Sequence, residues 1–199
     1  MNKANIAVLV SGGGTNLQAL IDAEKSGVLH SGEITLVISN KENAFALTRA
    51  KNAGINTAVI PNKQPDFEEK LIAALDENGT DLIILAGFMC ILSERFTSHF
   101  EKRIINVHPS LIPSFCGEGF YGLRVHEAAL AKGVKVTGAT VHFVNEIPDG
   151  GEIILQKAVD VLPGDTPELL QRRVMEQAEW HLLPAAAELV SKEIITRRG

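Results

Sequence analysis

Short runs of β-branched residues alternate with amphipathic segments through the first half of the chain. This alternation is typical of a parallel sheet covered by helices. We therefore predict an α/β fold with a doubly wound, mostly parallel sheet and helices on both of its faces. The predicted strands cover residues 6–10, 34–39, 57–60, 81–86 and 103–107, and the predicted helices cover about 15–26, 43–53, 66–78 and 93–101.

The second half of the chain begins with a long glycine-containing loop at 109–122, followed by a short predicted helix at 125–131. Two further strands are predicted at 136–144 and 152–161. Because only seven residues join these strands, which is too short for a crossover, the pair should be antiparallel.

The last helix should begin at Thr166, with Pro167 at its first helical position. We expect it to run past Trp180 until Pro184 kinks or divides it, because proline lacks the backbone N–H that a helix interior needs. The predicted elements fill the chain, so we expect residues 1–199 to form a single domain.

Composition and charge narrow the classes of ligand. A hydrophobic content of 45% allows a substantial core, and 19 basic against 24 acidic side chains give a net charge of -5. This balance argues against nucleic-acid and membrane partners, so any anionic ligand must be bound locally.

Cys90 and Cys116 have no metal-ligand or CxxC spacing, which indicates a reducing compartment. With no apolar run of roughly 18 residues and no signal peptide, we expect a cytoplasmic protein.

The sequence SGGG at residues 11–14 lies between the first predicted strand and the first predicted helix. Glycines let backbone N–H groups approach an anion, and a helix N-terminus adds partial positive charge, so phosphate is the natural ligand. A Walker loop is excluded because its Lys-Ser/Thr pair is absent, and a dinucleotide-binding GxGxxG motif fails because Leu17 replaces its third glycine. A tight turn without a ligand is the remaining alternative.

Two polar residues end the fifth predicted strand, on the sheet edge where doubly wound folds bind ligands. Asn106 and His108 are two positions apart, so their side chains share one face, and Pro109 favours an extended backbone at His108. Asp149 lies in the turn between the last two predicted strands and is a natural partner for His108. Its charge would raise the pKa of the histidine. An amide N–H and an imidazolium N–H aimed at one point would form an oxyanion site.

Structural roles are the alternative for each of these residues, since a turn aspartate and a strand-end asparagine are common. We interpret His142 as structural, because nothing near it in the sequence assigns it a task, and His126 as lying beside a helix end or surface. No pair of histidines or carboxylates has a spacing typical of a metal site, so we expect no metal.

Four segments resemble, in order and spacing, the phosphoribosylglycinamide formyltransferase family of purine biosynthesis. They read SGGGTNLQAL, LAGFMCILS, INVHPSLIPSF and HFVNEIPDGGEIILQ, and the match covers nearly the entire chain. The resemblance implies a formyltransferase fold and two small-molecule substrates. The cosubstrate 10-formyltetrahydrofolate would donate a formyl group to the amine of glycinamide ribonucleotide. It also implies a monomer or homodimer without metal, nucleic acid or membrane partners.

The resemblance assigns roles to individual residues of this chain. It implies that Asn106, His108 and Asp149 are the catalytic trio. The residues that match the ribonucleotide site are Gly14, Thr15, Asn16, Glu176 and Glu179, of which Glu179 is the firmest. The residues that match the folate site are Gln64, Met89, Cys90, Ile91, Leu92, Asn106, Asn145, Glu146, Ile147, Pro148 and Asp149.

The chain departs from the family in two places. Gln64 stands where some members have a folate-contacting arginine, so Lys63 is an alternative contact, and the loop at 114–122 is longer than in some relatives.

Methionyl-tRNA formyltransferase and formyltetrahydrofolate deformylase have the same polar trio, but each normally has an additional domain for which 199 residues leave no room. A deformylase-like hydrolase and a non-catalytic nucleotide-binding module remain the alternative functions, and a nicotinamide-dependent dehydrogenase is disfavoured by the glycine loop.

Overall fold

The chain forms one seven-stranded sheet in a computed structural model, which describes residues 3–198. The strands are β1 (Ala4–Val10), β2 (Gly32–Ser39), β3 (Asn56–Val59), β4 (Leu82–Leu85), β5 (Ile104–His108), β6 (Val136–Phe143) and β7 (Ile153–Asp160). The helices are α1 (Thr15–Ser26), α2 (Phe45–Asn52), α3 (Phe67–Glu77), α4 (Glu94–His99), α5 (Leu123–Lys132), α6 (Pro167–Val174) and α7 (Trp180–Thr196). All predicted strands are present, and so are the predicted helices up to α5.

The strand order is β3-β2-β1-β4-β5-β6-β7. Strands β1 to β5 pair in parallel, which confirms the doubly wound prediction. Strand β6 is antiparallel to β7, as predicted, and it is also antiparallel to β5. The second of these pairings was not predicted, and it places Asn106 opposite His142.

The sequence of β1 shows why the sheet has a core on each face. Successive side chains of a strand point to opposite faces. Ile6, Val8 and Val10 therefore pack into one core, whereas Ala7 and Leu9 pack into the other. All five are completely buried, as expected for a central strand of a parallel sheet.

The helices divide between these two cores. Apolar residues of α1, α2, α5, α6 and α7 pack on the first face, and those of α3 and α4 pack on the second. The second core reaches only the beginning of β5, at Ile104. Beyond that point, the same face of β5 and β6 presents polar residues instead. None of the helices within residues 3–198 is long and apolar enough to cross a membrane.

The chain reverses its winding direction between β1 and β4, which are neighbours in the sheet. The segments that follow these two strands meet there, and the Ser11 hydroxyl accepts a hydrogen bond of 2.8 Å from the Met89 N–H. A switch point of this kind is the usual ligand site of a doubly wound fold. The glycine loop and the segment after β4 therefore lie side by side.

The prediction for the last helix was wrong about where it divides. Pro184 lies inside α7, which continues to Thr196, and the interruption is a π-helical segment, Met175–Glu179, just before Trp180. A π turn carries one extra residue per turn and is common at functional sites. The wide turn comes before the proline, and the helix then continues with Pro184 buried in the core.

His126 was expected beside a helix end or surface, but it is completely buried on α5. Neither ring nitrogen has a hydrogen-bond partner among the described residues. Burial, and to a lesser extent the proximity of His108, lowers the pKa of His126 to about 4. The folded protein therefore holds this ring neutral under conditions where the unfolded chain protonates it.

We predict that replacing His126 with leucine makes the stability of the protein less sensitive to acid. The unfolded histidine binds a proton near pH 6.5, whereas the folded one does so only near pH 4, so the free energy of unfolding falls as the pH drops between these values. The His126 contribution between pH 7 and pH 5 is on the order of 2 kcal/mol. Urea unfolding of both proteins at the two pH values measures the difference.

His181→Leu, at an exposed position, is the matched control for the loss of an imidazole. If the wild-type protein and His126→Leu lose the same free energy of unfolding between pH 7 and pH 5, His126 is not the group responsible.

Candidate active site

Strand β5 delivers Asn106 and His108 to the polar part of the second sheet face. Asn106 is half-buried and His108 is 4% exposed. His142 on β6 pairs directly with Asn106, so all three side chains share this face. The predicted strand-end pair is therefore present, and the site extends from the strand end over the face of the sheet.

Asp149 reaches this face from the turn between β6 and β7. Its backbone is left-handed, with φ of 56°, and its Oδ2 atom lies 3.3 Å from His108 Nδ1. The turn lies close to the sheet at Gly151, where an added Cβ atom would be only 1.7 Å from the Phe143 carbonyl oxygen. The structure thus brings together the three residues that the sequence proposed as a catalytic trio.

The expected pKa of His108 was wrong in direction. Burial lowers the pKa below its ordinary value, and this effect outweighs the opposing influences of the Asp149 charge and the hydrogen bond to the Phe115 carbonyl. For Asp149, burial alone would raise the pKa. The His142 ring at 3.5 Å, the hydrogen bond from the Gly117 N–H and the proximity of His108 bring it below the ordinary value instead. The carboxylate is therefore ionised, and its charge partly offsets the effect of burial on the pKa of His108.

The long loop at 109–122 contacts two members of the proposed trio, His108 and Asp149. The Phe115 carbonyl oxygen lies 2.8 Å from His108 Nε2, and the Gly117 N–H donates a 2.8 Å hydrogen bond to Asp149 Oδ2. Both nitrogens of His108 thus face acceptors, which only an imidazolium can satisfy at once. The loop forms a wall of the site in this conformation.

His142 is the residue that the sequence interpretation missed. Its Nε2 atom lies 3.2 Å from Asn106 Nδ2 and 3.5 Å from Asp149 Oδ1, and its side chain is 2% exposed. The antiparallel register of β5 and β6 would have indicated this contact, but that pairing is a long-range feature absent from local sequence patterns.

The glycine loop has the local geometry of an anion site. Gly14 is left-handed with φ of 73°, and a Cβ atom there would lie 2.6 Å from Ala46 Cβ. Gly14 begins α1 without a side-chain cap, so the N–H groups of the first turn remain available to a ligand. Gly12 and Gly13 have open space around them.

Arg49 adds a cation that the sequence interpretation did not select. Its Nε donates a 2.9 Å hydrogen bond to the Gly13 carbonyl, and Nη1 donates to the Gln18 side chain. Arg49, Gln18 and Thr15 line a cavity of about 540 Å³ that extends between α1 and Trp180. A guanidinium beside the loop complements a phosphate in a chain whose net charge is negative.

Glu179, which the resemblance assigns to the ribonucleotide site, lies beside the residues that follow the glycine loop. The π-helical segment presents its carboxylate inward, and Asn16 Nδ2 donates a 2.7 Å hydrogen bond to it. Burial raises the pKa of Glu179, although the Asn16 hydrogen bond opposes this effect. Glu176 differs, since it is exposed and pairs with Arg172 at 2.7 Å. The ribonucleotide role of Glu176 stays a prediction.

The segment after β4 offers apolar surface at the switch point. Ile91 is 80% exposed and Met89 is 50% exposed, whereas Leu92 is buried. Cys90 accepts a hydrogen bond from Asn40, and burial raises the pKa of its thiol.

The other residues matched to the folate site are mostly exposed. Ile147 is 57% exposed in the turn before Asp149, where its N–H is held by the Asn145 side chain, and Glu146 and Pro148 are exposed as well. Gln64 is exposed and accepts a hydrogen bond from Lys70. Their folate contacts stay predictions.

Comparison with known proteins identifies the class. A family model described as formyl transferase matches residues 4–186. The phosphoribosylglycinamide formyltransferase of Escherichia coli (strain K12) is 43% identical over 177 residues, which cover 87% of this chain and 81% of that protein. The crystal structure of glycinamide ribonucleotide transformylase 1 from Symbiobacterium toebii is 41% identical, with a TM-score of 0.89, and the match covers 96% of this chain and 89% of that chain.

The Gallus gallus trifunctional purine biosynthetic protein adenosine-3 is 48% identical over 194 residues, 96% of this chain. This chain spans only 19% of the length of that protein. The fold and these matches define the class as that of the formyl transferase family model. The chain belongs to the phosphoribosylglycinamide formyltransferase family.

We predict that Gly14→Ala lowers the free energy of unfolding by about 1–3 kcal/mol, because alanine is strained at positive φ and its Cβ would overlap with Ala46. Urea unfolding measures the change. Gly12→Ala is the matched control, since no atom lies within 4 Å of the added Cβ. Equal stability of the two variants would contradict the close approach at Gly14.

Proposed function

We propose that this chain transfers the formyl group of 10-formyltetrahydrofolate to the amine of N1-(5-phosphoribosyl)glycinamide, in the synthesis of IMP. The products are the N-formyl ribonucleotide and tetrahydrofolate. The observation that carries this proposal is the convergence of Asn106, His108 and Asp149 on one sheet face of a formyl transferase fold. The names of the similar proteins support the choice of substrates.

The ribonucleotide phosphate is proposed to bind at the first turn of α1. Free N–H groups at Gly14, Thr15 and Asn16 and the positive end of the helix would hold it, assisted by Arg49. Glu179, fixed by Asn16, lies where it can accept hydrogen bonds from the remainder of the nucleotide. These contacts would orient the amine toward the formyl donor.

The folate is proposed to bind along the segment after β4 and the turn before Asp149. Exposed apolar side chains at Met89, Ile91 and Ile147 are suited to a ring system. Gln64 and Lys63 are exposed, and one of them is proposed to contact the folate tail.

In the proposed reaction, the substrate amine attacks the formyl carbon and a new C–N bond forms. Negative charge that develops on the formyl oxygen is stabilised by the Asn106 amide and by protonated His108. The ionised Asp149 orients the imidazole and favours its protonation, which opposes the effect of burial. The bond from carbon to the folate nitrogen then breaks, and the amine proton passes to that nitrogen with the help of Asp149 and water.

We predict that Asn106→Ala or His108→Ala lowers turnover about a hundredfold or more, because each removes one donor to the oxyanion. The assay follows release of tetrahydrofolate from 10-formyltetrahydrofolate in the presence of glycinamide ribonucleotide, and circular dichroism checks the fold. His99→Ala is the control and should keep wild-type turnover, because His99 lies on α4 and pairs with Asp76 on α3.

The same assay separates the alternative functions. Release of the formyl group without an acceptor would identify a hydrolase, and absence of any release would identify a binding module. Near wild-type turnover of Asn106→Ala or His108→Ala would overturn the role of that residue.

We predict that Asn16→Ala weakens ribonucleotide binding about tenfold, because it removes the hydrogen bond that fixes Glu179 at the loop. Calorimetric titration measures the dissociation constants of both substrates, and that of the folate should not change. The exposed residue Asn52 on α2 provides the control variant Asn52→Ala. Unchanged ribonucleotide affinity in Asn16→Ala would contradict the assignment of this loop to the ribonucleotide site.

A further inference from the structure

His142 has no role in the proposed reaction, yet it lies at the centre of the site. It is 2% exposed and pairs with Asn106 across β5 and β6. Its Nε2 atom has two neighbours, Asn106 Nδ2 at 3.2 Å and Asp149 Oδ1 at 3.5 Å. Which of these two neighbours forms a hydrogen bond with Nε2 depends on which ring nitrogen carries the proton.

The backbone determines the tautomer of His142. Its Nδ1 atom lies 2.8 Å from the carbonyl oxygen of Phe143, and a carbonyl oxygen can only accept a hydrogen bond. Nδ1 therefore carries a proton. In the neutral ring, Nε2 then has a lone pair, and it accepts a hydrogen bond from the nearer neighbour, the Asn106 amide nitrogen.

This contact determines the orientation of the Asn106 amide. If the amide were rotated by half a turn, its oxygen would face the Nε2 lone pair, and two acceptors would repel each other. With Nδ2 toward His142, one of its two N–H groups is held and the other remains for a substrate oxygen. The reverse orientation would present an oxygen to the developing oxyanion and would destabilise the transition state.

We propose that His142 is a positioning residue, which holds Asn106 with its amide nitrogen toward the formyl oxygen. The proposal rests on the proposed function, because it concerns the same oxyanion site. It predicts that His142 acts through Asn106 and not through Asp149 or His108. Loss of His142 should therefore lower kcat and leave both KM values nearly unchanged.

The kinetic test compares His142→Phe, which has no acceptor, with His142→Gln, whose side-chain oxygen can accept from Asn106. We expect kcat to fall about tenfold in the first variant and to recover at least partly in the second. In an Asn106→Ala background, His142→Phe should cost less than about threefold, whereas in an Asp149→Asn background its full effect should persist. Circular dichroism and ribonucleotide titration verify that each variant is folded.

A second measurement is independent of activity. Nitrogen NMR of the imidazole rings near pH 7.5, assigned with His142→Gln, should show Nδ1 protonated and Nε2 bare in the wild-type protein. An Nε2–H signal would overturn the proposal. So would a kinetic effect of His142→Phe that is coupled to Asp149→Asn and not to Asn106→Ala. Either result would make His142 a partner of the Asp149 carboxylate. A wild-type protein without transferase activity would refute the proposed function, while the NMR result would still decide the tautomer.

Discussion

The antiparallel pairing of β5 with β6 is the contact on which the candidate active site depends. It is the first of two antiparallel pairings that follow the parallel strands β1 to β5, and its register places Asn106 beside His142. A parallel continuation would have required a crossover helix over this region. Instead, the second core stops at Ile104, and the face beyond it is left to polar side chains and to the turn that carries Asp149.

The sequence predicted the fold well where the signals are local. Continuous apolar runs such as β4 and the alternation of strands with amphipathic segments gave the sheet and the helices up to α5. The capping residue Thr166 marked the start of α6, and its side chain does accept a hydrogen bond from Leu169. The prediction that Pro184 divides the last helix was wrong, because the interruption is the π turn before Trp180 and α7 continues through the proline.

The candidate site could be predicted only in part. Asn106, His108 and Asp149 were found because two share a strand end and the third lies in a turn. His142 was missed because its contact depends on a strand pairing 36 residues apart in sequence. The pKa of His108 was misjudged because the sequence shows the partner carboxylate but not the degree of burial, and here desolvation is the larger effect.

The loop at 109–122 contacts His108 and Asp149 through two backbone groups, the Phe115 carbonyl and the Gly117 N–H. Loop side chains act on these contacts indirectly, since the buried Ser110 hydroxyl donates hydrogen bonds to the Ser114 and Phe115 carbonyls and so supports the backbone path. The constraint on residue 117 is conformational, since its φ of 85° favours glycine. Substitution in this loop is thus expected to be tolerated at its exposed side chains and not at Ser110 or Gly117, nor by a change of loop length.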